Sequence, residues 1–156
     1  MDAGMMNSLY QVGAFSALGI SAIGSGLGAG AAGAAAVGAW KKCYAQGKPA
    51  PFQLVVFAGA PLSQTIYGMV LMFIYQAKAA QGAQYWPLFL AMGVVTGLGL
   101  AYSSWQQGIA AAAACDAFGE VPGKGFVNYL MILGIIETVS IFVLVFAIVL
   151  LVMVAK

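Results

Sequence analysis

Glu137 is the residue whose position most demands a chemical role. It stands 11 residues past Phe126, flanked by Ile135, Ile136 and the long apolar run from Val139 to Ile148. A charged acid at the centre of a bilayer costs about 2.5 to 3.5 kcal/mol on insertion scales, and acids kept there by default bind or carry ions or protons. Other polar groups fall at the same depth. Gln107 precedes Phe118 by 11 residues and Gln64 follows Phe52 by 12. At about 1.5 Å per residue, the three side chains share one level to within about a helical turn. Ser63 adjoins Gln64, and Tyr67 is one turn further along the same face. A carboxylate, two amide oxygens and a hydroxyl are hard oxygen ligands, suited to a small hard cation rather than a soft metal. Pro61 cannot continue a helical ladder and leaves local carbonyls free to join them. The alternative role for the amides and hydroxyl is hydrogen bonding between helices, and for Glu137 a permanently protonated structural carboxyl. Ser103, Ser104 and Gln106 are assigned to such helix contacts, or to filling space between close helices.

The elements that position these residues must cross a membrane. Of 156 residues, 63% are hydrophobic and 6% charged, with a mean hydropathy of +0.96. A soluble domain takes about a quarter of its residues from the charged types, so a soluble enzyme is excluded. Six Lys face four acids, with no Arg or His, which leaves neither a basic nucleic-acid surface nor a histidine metal centre. Two cysteines, Cys43 and Cys115, make no disulfide framework and are expected to pack as small apolar groups. Four uncharged stretches, 9–40, 52–77, 85–115 and 126–155, each reach the roughly 20 residues a spanning helix needs. The first has no preceding Lys or Arg and is too long for a signal h-region, so it is kept in the mature protein. The connections carry Gly47, Pro49 and Pro51, then Gly82, then Gly119, Pro122, Gly123 and Gly125, residues that turn a chain between antiparallel neighbours. Asp116 and Glu120 are expected in the third connection, facing water or a soluble partner. Trp40, Trp86 and Trp105, with Tyr10, Tyr44, Tyr85 and Tyr129, are expected to form an interfacial belt. Lys41, Lys42, Lys48 and Lys124 occupy the first and third connections, against Lys78, Lys156 and the amino terminus on the other side. The positive-inside rule then puts loops one and three in the cytoplasm and both termini outside.

The spans alternate in bulk. The first and third are rich in Gly and Ala, whereas the second and fourth carry larger side chains. A shift of 75 residues aligns Gly24 with Gly99, Gly33 with Gly108, Gly59 with Gly134, Ser63 with Thr138 and Thr65 with Ser140. This pattern predicts an all-α membrane protein of two repeated helical hairpins, 1–81 and 82–156. Small residues let helix backbones approach closely in lipid, which suits a tightly curved inner layer. Gly28, Gly30 and Gly33 also fit G-x-G-x-x-G, yet the fingerprint needs a preceding strand in a soluble βαβ unit and an acid about 20 positions on. Neither is present, and no Walker A sequence occurs, so the glycines are assigned to helix packing.

The Gly-rich run Gly24 to Gly30, the stretch Ala60-Pro61-Leu62-Ser63-Gln64-Thr65-Ile66-Tyr67-Gly68, the stretch Gln107-Gly108-Ile109-Ala110-Ala111-Ala112 and Glu137-Thr138 together resemble the proteolipid K (c) subunits of bacterial V-type ATPases, of the sodium-binding kind. The resemblance covers nearly the whole chain. It implies a closed homo-oligomeric rotor ring in the cell membrane, with spans one and three inside and two and four outside. It implies one Na+ (or H+) per subunit, and no organic cofactor. The implied ligands are Glu137, Ser63, Gln64, Gln107 and the carbonyl of Ala60, with Tyr67 capping the carboxylate. Ser63 stands where Thr is usual, and Leu62 occupies the position matching Glu137, so four helices share one acid. The implied partners are a membrane stator subunit bearing an Arg, the central-stalk subunits and the lipid bilayer, with no nucleic acid. By this resemblance the chain is a subunit of a cation-transporting rotary ATPase or ATP synthase and performs no catalysis alone. Rival readings are a proton-coupled version of the same ring, a small alternating-access transporter, and a tetraspan scaffold. Gln64 and Gln107 favour sodium, because a proton needs only the carboxylate and one hydrogen-bond partner.

Overall fold

The computed structural model describes residues 1–79 and 83–154. Helix α1 is Ala3–Ala45, α2 is Leu54–Gly59, α3 is Ser63–Ala77, α4 is Trp86–Glu120 and α5 is Phe126–Val154. A 3-10 turn at Ala60–Leu62 joins α2 to α3, and another at Ala83–Tyr85 leads into α4. No strand occurs among the described residues. Among the same residues, four helical segments are long and apolar enough to cross a membrane: Ala3–Ala45, Leu54–Ala77, Ala83–Glu120 and Phe126–Val154. The expected division between hairpins at 81 and 82, the turn residue Gly82 and the terminal Lys156 lie outside the described residues.

Two helices run further than the sequence pattern places them. Helix α1 has 43 residues, about 65 Å at 1.5 Å per residue, well beyond a hydrocarbon core of about 30 Å. Its Lys41, Lys42 and Cys43 are therefore helical rather than part of a loop. Asp2 caps its start, accepting from the Met5 N–H at 2.7 Å. At its end Gly47 adopts φ +63°, and the N–H groups of Gly47 and Lys48 close back on the carbonyls of Tyr44 and Cys43. This is a Schellman stop, which needs a residue tolerant of the left-handed region.

The third connection is likewise shorter than expected. Asp116 and Glu120 belong to α4, which ends only at Glu120. Gly119, expected as a turn residue, is helical and buried; a Cβ there would lie 2.6 Å from that of Ala39. Its role is to let α1 approach. Glu120 pairs with Lys42 at 2.7 Å across the two helix ends, while Asp116 is exposed. Gly123 and Gly125, both at positive φ, make the actual turn.

The most extensive helix pair is α1 against α4. A Cβ on Gly24 would lie 2.1 Å from the Ala101 carbonyl oxygen, and one on Gly108 would lie 2.1 Å from the Gly28 Cα. These glycines set the separation, because lipid offers no hydrophobic drive between helices and close packing must supply the attraction. Helix α3 lies on α1, with Gly68 against Ala17 and Ser21, and α5 lies mainly on α4. Two apolar clusters result. One gathers Tyr10, Leu71, Tyr75, Phe89 and Leu100; the other gathers Leu54, Phe57, Ala111, Phe118 and Leu133. Between them lies a layer of buried Ser25, Gln64, Ser103, Ser104 and Gln107.

The aromatic belt needs two corrections. Trp105 is two residues from Gln107 in the middle of α4, because that helix continues to Glu120. Tyr10 is fully buried, and its hydroxyl donates to the Tyr75 carbonyl. Trp40 keeps a place near a helix end, with its indole N–H donating to the Pro51 carbonyl at 2.7 Å. Cys43 and Cys115 are free and buried, as apolar packing requires.

Candidate ion-binding site

The break in the second span sets the site. Pro61 has no N–H to give, so the helix tightens into the 3-10 turn Ala60–Leu62 before α3 resumes at Ser63. Its carbonyl accepts the Ser104 hydroxyl of α4 at 2.6 Å, and Ser104 also meets Ser25 of α1 at 3.1 Å. One buried serine thus ties three helices at the level of the break. The Ala60 carbonyl accepts the Ser63 hydroxyl at 3.2 Å.

The side chains beyond the break form one chain of hydrogen bonds. Ser63 Oγ also lies 3.2 Å from Gln64 Oε1. Gln64, fully buried, donates through Nε2 to Gln107 Oε1 at 2.9 Å. Gln107, equally buried, donates through Nε2 to the Leu133 carbonyl at 3.0 Å and to Glu137 Oε2 at 3.4 Å. Tyr67 closes the set from α3, donating to Glu137 Oε1 at 2.6 Å. Ala60, Ser63, Gln64, Tyr67, Gln107 and Glu137 are therefore brought together from three helices. Glu137 is half-buried, held at both oxygens by neutral donors.

Ser103 and Ser104 make the helix contacts assigned to them, Ser103 through the Ile136 carbonyl at 3.1 Å. Gln106 makes no such bond among the described residues. Missed from sequence was the Leu133 carbonyl as an acceptor, since a backbone oxygen in an unbroken helix leaves no residue-type signal; Pro61 signals free carbonyls nearby, but not that its own accepts Ser104. Ser140, one turn past Glu137, was also missed; it is fully buried and has no hydrogen-bond partner among the described residues. Its usual helical acceptor, the Ile136 carbonyl four residues back, already receives Ser103.

The donor set has a definite charge. Among the described residues no three His, Cys, Asp or Glu side chains cluster, so the site offers one carboxylate and several neutral oxygens. A monovalent cation would leave it neutral, whereas a divalent one would leave a net positive charge among apolar helices. The amide oxygens of Gln64 and Gln107 accept from Ser63 and Gln64, whereas the Ser63 hydroxyl only donates, so its oxygen keeps its lone pairs free.

These features define a multi-pass helical membrane protein with a single carboxylate held among neutral oxygens. Comparison with known proteins points the same way. Residues 90–150, which include Gln107 and Glu137, match the family of ATP synthase C subunits. The chain is also 35% identical, over 156 aligned residues, to the A-type ATP synthase subunit K of Methanocaldococcus jannaschii. That alignment covers 95% of this chain and 64% of the relative, so the chain spans under two thirds of the relative's length.

Proposed function

We propose that this chain is an ion-translocating subunit of the rotor ring of a rotary ATPase or ATP synthase, and that it carries one Na+ at Glu137. The observation that carries the reading is the hydrogen-bonded chain from Ser63 through Gln64 and Gln107 to Glu137. It supplies more oxygens than a proton needs. The Glu137 carboxylate, the oxygens of Ser63, Gln64 and Gln107, and the Ala60 carbonyl are the ligands. Tyr67 holds the carboxylate in place. The similarity to ATP synthase subunits supports the rotor assignment.

The physical role of the ion is neutralisation. With Na+ bound, Glu137 presents no net charge and the half-buried site can turn through lipid without the penalty of an exposed carboxylate. At a stator, a cationic side chain takes the place of the ion and releases it. Ring rotation is thereby tied to ion passage and, through a stalk, to ATP chemistry elsewhere. The α1 and α4 helices form the inner layer and α3 and α5 the outer one. The connections after α1 and α4 face the cytoplasm and both termini face outside; reagent access to a cysteine placed at Lys78 from the outer side only is the expected outcome.

Equilibrium binding of radioactive sodium to the purified oligomer tests the reading. One Na+ per chain, lost in Glu137→Gln, is expected. Undiminished binding in that variant would remove Glu137 from the site.

A further inference from the structure

The internal repeat gives a template for contact between copies, and the inference drawn from it rests on the rotor reading above. Inside the chain, the second hairpin packs on α1 through Gly97, Ala101, Ser104 and Gly108 of α4. Seventy-five residues earlier, the matching positions of α1 are Ala22, Gly26, Ala29 and Gly33. These four are exposed or half-exposed, and a Cβ on Gly26 or Gly33 would meet nothing within 4 Å. The first hairpin thus presents, uncovered, the same kind of stripe that the second has buried.

Two polar side chains at the membrane-centre level distinguish this surface from a merely thin one. Gln64 and Gln107 are directly bonded, so Thr65 and Gln106 lie within about one residue rise of the same depth. Two positions along a helix correspond to about 200° of rotation. Thr65 is two positions from both Ser63 and Tyr67, which lie toward Glu137, and is therefore turned away from α5. Gln106 is two positions from both Ser104 and Gly108, which face α1, and is turned away from α1. It lines an outer groove of about 330 Å³ with Tyr102, Ile135 and Val139. The two residues occupy opposite flanks of the chain. Both are half-exposed, and neither makes a side-chain hydrogen bond among the described residues. The carbonyl four residues before Thr65, that of Pro61, is engaged by Ser104.

We propose that Gln106 of one copy donates to the Thr65 hydroxyl of the next, so that the flank formed by α4 and α5 seats on the exposed Gly26 and Gly33 stripe of the following chain. Opposite flanks make a heterologous contact, the kind that closes into a ring. An amide and a hydroxyl left in lipid without partners are both costly, and their equal depth lets each satisfy the other. The repeat also accounts for Ser140, the position matching Thr65. In-chain, the position matching Gln106 is Ala31, which has no polar group to offer, and Ser140 has no partner among the described residues.

Cysteine cross-linking in membranes, combined with native mass spectrometry of the full-length protein, tests the contact. Oxidation of the double variant Thr65→Cys/Gln106→Cys is expected to give a ladder of covalent multimers. The wild-type chain, whose own cysteines are buried, and either single variant give none. Dimers from a single variant, or an intact oligomer without the ladder, would overturn the contact while leaving the rotor reading in place. A wild-type protein that is monomeric by mass spectrometry would overturn the rotor reading itself. If the double-cysteine variant does not assemble, oligomer dissociation is compared in Thr65→Val, Gln106→Ala and their combination. Each single change should speed dissociation about three- to tenfold, from the strength of interhelical hydrogen bonds in lipid, and the pair no more than either alone. Additive effects, or none, would contradict the contact.

Discussion

Tyr67 and Glu137, on α3 and α5, are joined by a hydrogen bond of 2.6 Å from the phenol to Oε1. The bond fixes the carboxylate from the opposite side to Gln107, which reaches Oε2 at 3.4 Å. Two neutral donors from two helices thus orient one acid, and the orientation is prepared by packing around Tyr67 rather than by a counter-charge.

Removing the phenol hydroxyl should therefore loosen the acid without unfolding the bundle. Tyr67→Phe is expected to weaken sodium binding about tenfold or more, since a hydrogen bond to a charged group contributes about 1.5 to 3 kcal/mol. Isothermal titration of the purified protein reads this directly. Unchanged affinity would mean that Tyr67 merely fills space.

Gln107 links the carboxylate to Gln64, so its loss should be felt in ion binding before it is felt in assembly. Gln107→Ala is expected to lower sodium affinity by at least the same factor while native mass spectrometry finds the same assembly state as wild type. An unaltered affinity would remove Gln107 from the ligand set.

Close approach of α1 and α4 makes a prediction about small residues. Gly108→Val places new atoms against the Gly28 backbone, and overpacking of this kind costs about 1 to 3 kcal/mol or more. The variant should show a lower thermal midpoint than wild type, whereas Gly134→Ala, with nothing within 4 Å of the added Cβ, should match wild type. Equal midpoints for Gly108→Val and wild type would contradict the packing.

Both native thiols should be inert in the folded protein. Cys43 and Cys115 are 1% and 0% exposed, and a maleimide is expected to label neither until the protein is denatured. Fast labelling of either in the native state would show that the packing of α1 against α4 opens there.

Much of the site is legible in the sequence because depth can be counted along apolar helices. Distances to span ends put Gln64, Gln107 and Glu137 on one level, and the structure joins Gln64 to Gln107 and Gln107 to Glu137. Glycine is what misleads. Gly119 reads as a turn, but it is helical and makes room for Ala39, so Asp116 and Glu120 belong on α4 rather than in a loop. The same ambiguity does not affect Gly47, whose positive φ ends α1. Sequence alone does not separate a glycine needed for its backbone freedom from one needed for its missing side chain. The Ser104 contact to the Pro61 carbonyl escapes for a different cause: the acceptor is backbone, and its availability follows from a break whose geometry only the folded chain reveals.

Whether Glu137 is an ion-exchanging carboxyl rather than a structural one is read out by carbodiimide labelling of the membrane-purified protein. The reagent modifies an accessible protonated carboxyl, so labelling across pH with and without sodium, followed by peptide mapping, reports both accessibility and ion occupancy. Modification at Glu137 alone among the four acids, suppressed when sodium is added, is the expected result. Labelling that sodium leaves unchanged would transfer the site to protons, and a Glu137 that never labels would contradict the ion-carrying role.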